Sequence, residues 1–407
     1  MTLLTVAILS CIPFVCASLP SLNGTSIPTL DVISSPSYSY TRSLWNIIWS
    51  CCLTIFACTW TSIHPNIPGI NESKVAKITR RILLMGLAMA APELVVTWAL
   101  RQFFSARKAA KEVTGWGMTH GFFAWMGGFI LYVNGSPRAT LTPDELLRFV
   151  REGSVDMPVI TEADIDDKSK DDGLSKGVTI LQLAWFVTQL AARYRQKLPI
   201  TLIEIDTLSV AALTCIFYLL WWKKPKDVGL PYAVHWKGAT SPSDLTYDKS
   251  FSPLEVMVHP LESLMGNQVL ISAWAVRSRR VPSLGGYGES HAVVTLLIGC
   301  TCGMVFGGIH YLGWDYPFLQ QRNWRVFAVW ITFMPIIFLL TIGYEMWRGD
   351  SNVSRKKKMT TMIAVFIVMM YFVGRVALIV YTIQSLRSLP PAGIYDTVSW
   401  TEYIPHL

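Results

Sequence analysis

The sequence is short of charge. Of its 407 residues only 15% are Asp, Glu, Lys or Arg, while 52% are hydrophobic; an ordinary soluble domain carries about 25% charged residues. That balance excludes a typical soluble enzyme, and it equally excludes disordered and collagen-like chains. Cysteine is scarce where disulfides would need it. Beyond the first 17 residues there are Cys51, Cys52, Cys58, Cys215, Cys300 and Cys302, all inside apolar runs, so the loops hold no disulfide framework and no Cys-x-x-Cys zinc pattern. The phosphate-binding loop, Gly-x-Gly-x-x-Gly, Gly-x-Ser-x-Gly and His-Glu-x-x-His are absent. So are paired aspartate-rich motifs at a span end and an internal repeat of the secondary-transporter kind. No cofactor or metal is expected.

What is present is a series of apolar blocks long enough to cross roughly 30 Å of hydrocarbon. The fold expected is an all-α polytopic transmembrane bundle of about eight spans after a signal peptide: 43–63, 82–100, 116–134, 177–194, 199–222, 290–313, 324–346 and 359–383. Residues 1–17 read as a signal peptide with small residues at Cys16, Ala17 and Ser18, although no basic residue precedes the apolar run. Residues 18–42 form a lumenal segment carrying the glycosylation triplet Asn23-Gly24-Thr25. The further divisions are a membrane group of three spans (43–134), a cytoplasmic helical loop (135–176), a membrane hairpin (177–222), a cytoplasmic and interfacial loop (223–289), three last spans (290–383) and a lumenal tail (384–407). The third span is the weakest, with Gly115, Gly117, Gly121, Gly127 and Gly128.

Orientation follows from Lys and Arg. The net charge of +8 lies mostly in short loops, which needs no nucleic acid. Segments 64–81, 135–176, 223–289 and 347–358 hold 23 Lys and Arg; the opposite set holds 8, four of them in 101–115. The richer set faces the cytoplasm, and the second and third spans carry the discrepancy. The secretory pathway follows, in the endoplasmic reticulum or plasma membrane.

In the cytoplasmic loop, Thr142-Pro143-Asp144-Glu145 is a capped helix start; that helix stops near Gly153, and a second starts at Thr161 to Asp164. The aspartates from Asp164 to Asp172 lack EF-hand order and read as a solvated face. Pro253 to Ala275 reads as an interfacial amphipathic helix. Tryptophans at span ends, including Trp45, Trp49, Trp60, Trp221, Trp222, Trp314, Trp324 and Trp347, read as the interfacial belt. Gly299, Gly303 and Gly307 form a small-residue stripe, used for packing within the bundle or for a homo-oligomer, and Pro335 marks a kink.

Ionisable residues inside a bilayer cost about 2.5–3.5 kcal/mol each at a helix centre and therefore mark polar contacts or sites. Glu93 beside Pro92, Glu204, Asp206, Arg375, His120 and His310 all fall in the middle or lumenal half of the expected bundle. Glu204 and Asp206 point about 200° apart on a helix, so they are no dyad. Glu93, Asp206 and Glu204 are the candidate catalytic acids, and Arg375, His310 and His120 the candidate binding residues. A structural ion pair of Arg375 with Glu204 or Asp206 is the competing reading.

The stretches Arg42-Ser43-Leu44-Trp45-Asn46-Ile47-Ile48-Trp49-Ser50-Cys51, Cys58-Thr59-Trp60 with His64-Pro65-Asn66, Trp221-Trp222-Lys223-Lys224-Pro225 and Trp400-Thr401-Glu402-Tyr403-Ile404-Pro405-His406 resemble a family of uncharacterised multi-pass membrane proteins of fungi. The resemblance implies a fungal integral membrane protein and transfers no activity. Three functions stay open. One is a membrane-embedded enzyme whose buried acids act on a terpenoid or lipid-like small molecule. The second is a proton-coupled transporter or channel with the same acids as relay groups. The third is an accessory membrane protein with 136–175 as a docking surface.

Overall fold

The computed structural model describes residues 42–169, 173–238, 240–243, 245–248, 279–288, 291–314, 322–348 and 354–387. The signal segment, Asn23, the proposed amphipathic helix at 253–275 and the Trp400–His406 motif lie outside them.

Helix α1 (Leu44–Ser62) begins where the Ser43 side chain accepts from the Asn46 amide. Helix α2 (Lys74–Ala90) starts at a similar Ser73 cap, and α3 (Pro92–Glu112) follows after a single residue. Pro92 sits at the first position of α3, where its missing N–H costs nothing. The axes of α2 and α3 turn by 114° at this break. The sequence-based span 82–100 is therefore not one helix but the apex of a V, because proline ends the run it was counted in.

The expected third span is also corrected. Residues 118–125 form the short helix α4 (Met118–Trp125), and the chain then enters β1 (Phe129–Val133) and β2 (Ser136–Thr140). Asn134 and Gly135 both have positive φ, 51° and 75°, and join the strands in the two-residue turn that suits a right-handed hairpin. Strand β3 (Tyr232–His235) adds parallel to β1, giving the order β2-β1-β3. The fold is thus mostly helical but not all-α. Helices α5 (Pro143–Arg151) and α6 (Glu162–Lys168) carry the expected caps. Thr142 and Glu145 close a reciprocal capping box, and Thr161 with Asp164 closes another. Hydrogen bonding to Thr161 and the positive charge of Lys168 lower the Asp164 pKa below the ordinary carboxylate value. Phe123, Phe129, Leu131, Leu146, Phe149 and Val234 form a core of their own.

The remaining helices are α7 (Gly173–Arg195), α8 (Leu202–Leu220), α9 (Ala292–Ile309) with a 3-10 turn at His310–Gly313, α10 (Arg322–Arg348) and α11 (Ser354–Ser385). Among the described residues five helices, α1, α8, α9, α10 and α11, are long and apolar enough to cross a membrane, or six spans if the bent pair counts as one. Helix α7 is less apolar, yet Ile180, Leu181, Trp185 and Val187 are exposed on it. Helix α8 is central, with 56% of its apolar window buried, whereas α10 is peripheral at 17%.

The glycine stripe of α9 makes its close approaches within the chain. A Cβ on Gly299 would meet Thr97 of α3; one on Gly303 would meet Pro335; one on Gly307 would meet the Thr332 backbone. Two tryptophans assigned to the interfacial belt are instead fully buried, Trp221 and Trp324, while Trp45, Trp49, Trp222 and Trp347 are exposed as expected. The six cysteines among the described residues are free.

Candidate functional site

The α2–α3 hairpin brings charge to the middle of the bundle. Both of its open ends meet the same segment, 280–288: Arg80 shares Glu72 with Arg280, and Gln102 of α3 donates to the Gly285 carbonyl. Its apex lies against α11. The Arg375 guanidinium donates twice to the Ala90 carbonyl, from Nε at 3.1 Å and from Nη2 at 2.8 Å, and rests on the Phe306 ring with its carbon 3.4 Å from the centroid. Ala90 ends α2, so this cation complements the negative end of a half-helix. Glu93 stands in the first turn of α3, where a carboxylate complements the positive end. Its Oε1 accepts from the Tyr371 hydroxyl at 3.0 Å, while its buried Oε2 has no hydrogen-bond partner among the described residues.

Asp206 of α8 lies further along the same face of α11. Its Oδ2 accepts from Thr382 Oγ1 at 2.5 Å, and its Oδ1 lies 2.7 Å from His310 Nε2. His310 Nδ1 lies 2.9 Å from the Phe306 carbonyl. Both ring nitrogens therefore face oxygen acceptors. A neutral imidazole has one N–H, so the second contact requires a further proton. Either His310 is an imidazolium facing a carboxylate, or Asp206 is a carboxylic acid donating to Nε2. Arg375 is near enough for its charge to act on Asp206. Tyr371, Arg375 and Thr382 are spaced by four and seven residues, on one face of α11. At about 1.5 Å per residue they run about 16 Å along it.

Of the six residues singled out from sequence, the structure thus gathers four: Glu93, Asp206, His310 and Arg375. Glu204 departs. It reaches back to the Thr201 amide at 2.8 Å as a helix cap and pairs with Arg42 at 2.5 Å, so the expected pairing of Arg375 with Glu204 is replaced by Arg42. His120 departs as well. It lies in α4, accepts from the Gly117 amide and places Nε2 3.0 Å from the Ile160 carbonyl, inside the sheet-bearing unit.

A second polar centre was not anticipated. Lys224, just past α8, is buried, and its Nζ donates to the His64 carbonyl (2.5 Å), Gln102 Oε1 (2.8 Å) and Asn66 Oδ1 (3.3 Å). The Trp98 and Trp221 rings flank it at 5.1 and 4.7 Å. Burial pushes this ammonium well below the usual lysine range, against which three acceptors and two indole faces favour the charge. Asn66 Nδ2 bonds the Pro282 and Gly285 carbonyls, and Trp98 Nε1 also reaches Gly285. Gly286, at φ 83°, passes so close that a Cβ would lie 2.7 Å from the Trp125 carbonyl. Burial, with the positive charges of Lys226 and Lys224, lowers the neighbouring His64 well below its ordinary value. The signal for this node was the pair of motifs His64-Pro65-Asn66 and Trp221-Trp222-Lys223-Lys224-Pro225, each of which places polar residues directly after an apolar helix.

In the sheet-bearing unit a cavity of about 320 Å³ is lined by Trp125, Asp144, Arg148, Tyr247 and Tyr287 among others. The Tyr247 hydroxyl has no partner, and burial beside Glu145 raises its pKa.

The sequence model of one family, described as a family of unknown function (DUF8562), matches residues 11–115 and 108–242. The match exceeds half the chain. The protein belongs to this family. The matched region holds Glu93, Asp206 and the whole helical part of the Lys224 node, whereas His310, Arg375 and Thr382 lie beyond it. Searches of curated proteins and of solved structures return no match.

Proposed function

We propose that this family member is an integral membrane protein that moves protons through its bundle, coupled to translocation of a solute. Asp206–His310 and Glu93 are the stations of the relay. The observation that supports it is the double acceptor environment of His310, which requires the pair to hold an exchangeable proton inside a group of apolar helices. Tyr371 and Arg375 stand between that pair and Glu93, whose second oxygen is unpartnered. Intramembrane acids in such a row mark proton relays by default.

The topology in this reading has six spans, α1 and α7 to α11, with α2–α3 entering and leaving on one side. Ser169 of the loop before α7 exchanges hydrogen bonds with Lys226 after α8, so α7 and α8 form a hairpin that crosses and returns. The re-entrant hairpin moves Arg101, Arg107, Lys108 and Lys111 to the basic side. The count then becomes 27 Lys and Arg against 4, and the discrepancy in the charge rule disappears. The start of α1 faces the lumen, in keeping with a signal peptide and a glycan at Asn23.

The test is proton flux in proteoliposomes with a trapped pH-sensitive dye. Wild-type protein should dissipate an imposed pH gradient. Asp206→Asn and Glu93→Gln should each cut the rate at least ten-fold while eluting as folded protein. Flux indifferent to both substitutions would remove the relay. An enzyme using the same acids would show no flux and would lose product on either substitution.

A further inference from the structure

We infer that the apex of the α2–α3 hairpin is a binding site for a small organic cation of the guanidinium or ammonium class, filled in this conformation by the protein's own Arg375. The inference rests on the translocation reading and names its substrate class.

The surroundings of Arg375 are those of a cation site built into a broken helix. Discontinuous membrane helices bind ions at their exposed ends, with carbonyls at the C-terminal end facing cations. Here the Ala90 carbonyl at the end of α2 receives two N–H groups from one guanidinium, and the Phe306 ring supplies an electron-rich face. Glu93, three residues beyond Ala90 and linked to α11 through Tyr371, adds a carboxylate to the apex. Glu93 is only 5% exposed, and its Oε2 is buried without a partner among the described residues although its Oε1 is engaged by Tyr371. An unsatisfied carboxylate oxygen at this depth is costly and calls for a donor. Arg375 gives its Nε and Nη2 hydrogens to the Ala90 carbonyl instead. The site thus has one more acceptor than its tethered occupant uses.

A free guanidinium or ammonium could take the carbonyl, the ring and the Glu93 oxygen together. Arg375 would have to swing away, and Asp206, on which its charge already acts, is the acid further along α11 that would take it. Displacement of Arg375 would then tie occupancy of the apex to the protonation of the Asp206–His310 pair, since a guanidinium beside Asp206 favours its carboxylate form. The coupling needs no second metal or cofactor.

The experiment uses the full chain in nanodiscs and methylguanidinium chloride as probe, with sodium chloride at equal ionic strength as the control. Arg375→Ala empties the site and should melt below wild type. Methylguanidinium in the millimolar range should restore most of that loss, as expected for a ligand bound only to the folded state. Adding Glu93→Gln to Arg375→Ala should weaken the rescue at least ten-fold. Absence of rescue, or equal rescue in the double variant, overturns the inference. Should Arg375→Ala not fold, the decisive measurement is uptake of labelled methylguanidinium by wild-type proteoliposomes under a proton gradient. Uptake lost in Phe306→Ala while dye-reported proton flux is retained supports the site; no uptake by the wild type rejects it. Dye-reported proton flux is read separately. Flux without cation binding sinks only this inference, and cation binding without flux sinks only the relay.

Discussion

Replacing Lys224 by methionine, which is similar in length and carries no charge, tests whether the ammonium holds the helix ends together. Three acceptors lose a donor, but not equally. Gln102 Oε1 keeps the Trp221 indole N–H, and Asn66 Oδ1 keeps the Gln102 amide. The His64 carbonyl keeps no donor in this cluster, and an orphaned buried acceptor costs about 1–3 kcal/mol. Two cation–π contacts, at 5.1 and 4.7 Å, contribute about 0.5–2 kcal/mol each. The substitution also removes the cost of burying an ammonium, an offset of several kcal/mol. The losses sum to about 2–7 kcal/mol and the relieved burial offsets several of these, which leaves an expected net loss of about 1–2 kcal/mol. The assay is thermal loss of monodispersity by size-exclusion chromatography, with Lys223→Met at the adjacent exposed position as control. Lys224→Met should fall several degrees below that control. Lys224→Arg should not restore it, because a planar guanidinium does not fit three acceptors arranged for an ammonium. A Lys224→Met protein as stable as the control would refute the reasoning and make the node a solvated face that merely looks buried.

Four further outcomes follow from the same geometry. His64 has a folded pKa below its unfolded value of about 6.5, so the unfolded state binds the extra proton. Stability should therefore fall as pH drops below about 6.5, by at most about 1.4 kcal/mol per pH unit, and His64→Gln should flatten that part of the stability profile. Arg42→Ala should lower the melting temperature, because it leaves the buried Glu204 carboxylate without its cation, and Glu204→Gln should do so by less, because a glutamine keeps the cap on the Thr201 amide; neither should alter proton flux beyond the loss of folded protein. Gly307→Ala should be harsher than Gly299→Ala and resist repair. The added methyl meets the Thr332 Oγ1 and, at 2.9 Å, the Thr332 backbone, whereas at Gly299 it meets only the Thr97 side chain, so Thr97→Ser should relieve the second, while Thr332→Ala removes the hydroxyl clash of the first and leaves the backbone one; melting temperatures of the single and double variants decide this. In a cysteine-free background, Lys108→Cys should react with an impermeant maleimide from the same side as Lys223→Cys, and Gln196→Cys from the opposite side. Labelling of Lys108→Cys together with Gln196→Cys would reject the re-entrant hairpin.

Much of the membrane part was legible because lipid leaves a strong mark on composition. Helices α1, α8, α9, α10 and α11 coincide closely with apolar runs, and the caps at Thr142 and Thr161 were readable residue by residue. The four intramembrane groups that converge were flagged by their cost in hydrocarbon alone. The misreading of residues 116–134 has a different cause from that of 82–100, which Pro92 ends. A hydropathy window measures how apolar a stretch is, not whether its apolar atoms face lipid or protein. Residues 116–134 pass as a span, yet Phe122, Phe123, Phe129 and Ile130 are greasy because they fill the protein's own core. Asn134-Gly135, a strong local hairpin signal, was the clue within that stretch that pointed away from a span.

The sequence by itself determined that the chain is rich in helices long and apolar enough to cross a membrane, where most of them begin and end, and which charges in them are costly in an apolar setting. Only the tertiary structure decided partners. Glu204 and Asp206 sit two residues apart on one helix, yet one serves Arg42 as a structural ion pair and the other shares a proton with His310. Their facing directions on α8 were computable, but what stood opposite each face was not, because it is set by residues 104 to 176 positions away in the chain. Lys224 makes the same point: a basic residue after an apolar helix reads as an interfacial anchor until the fold closes two indoles and three oxygens around it.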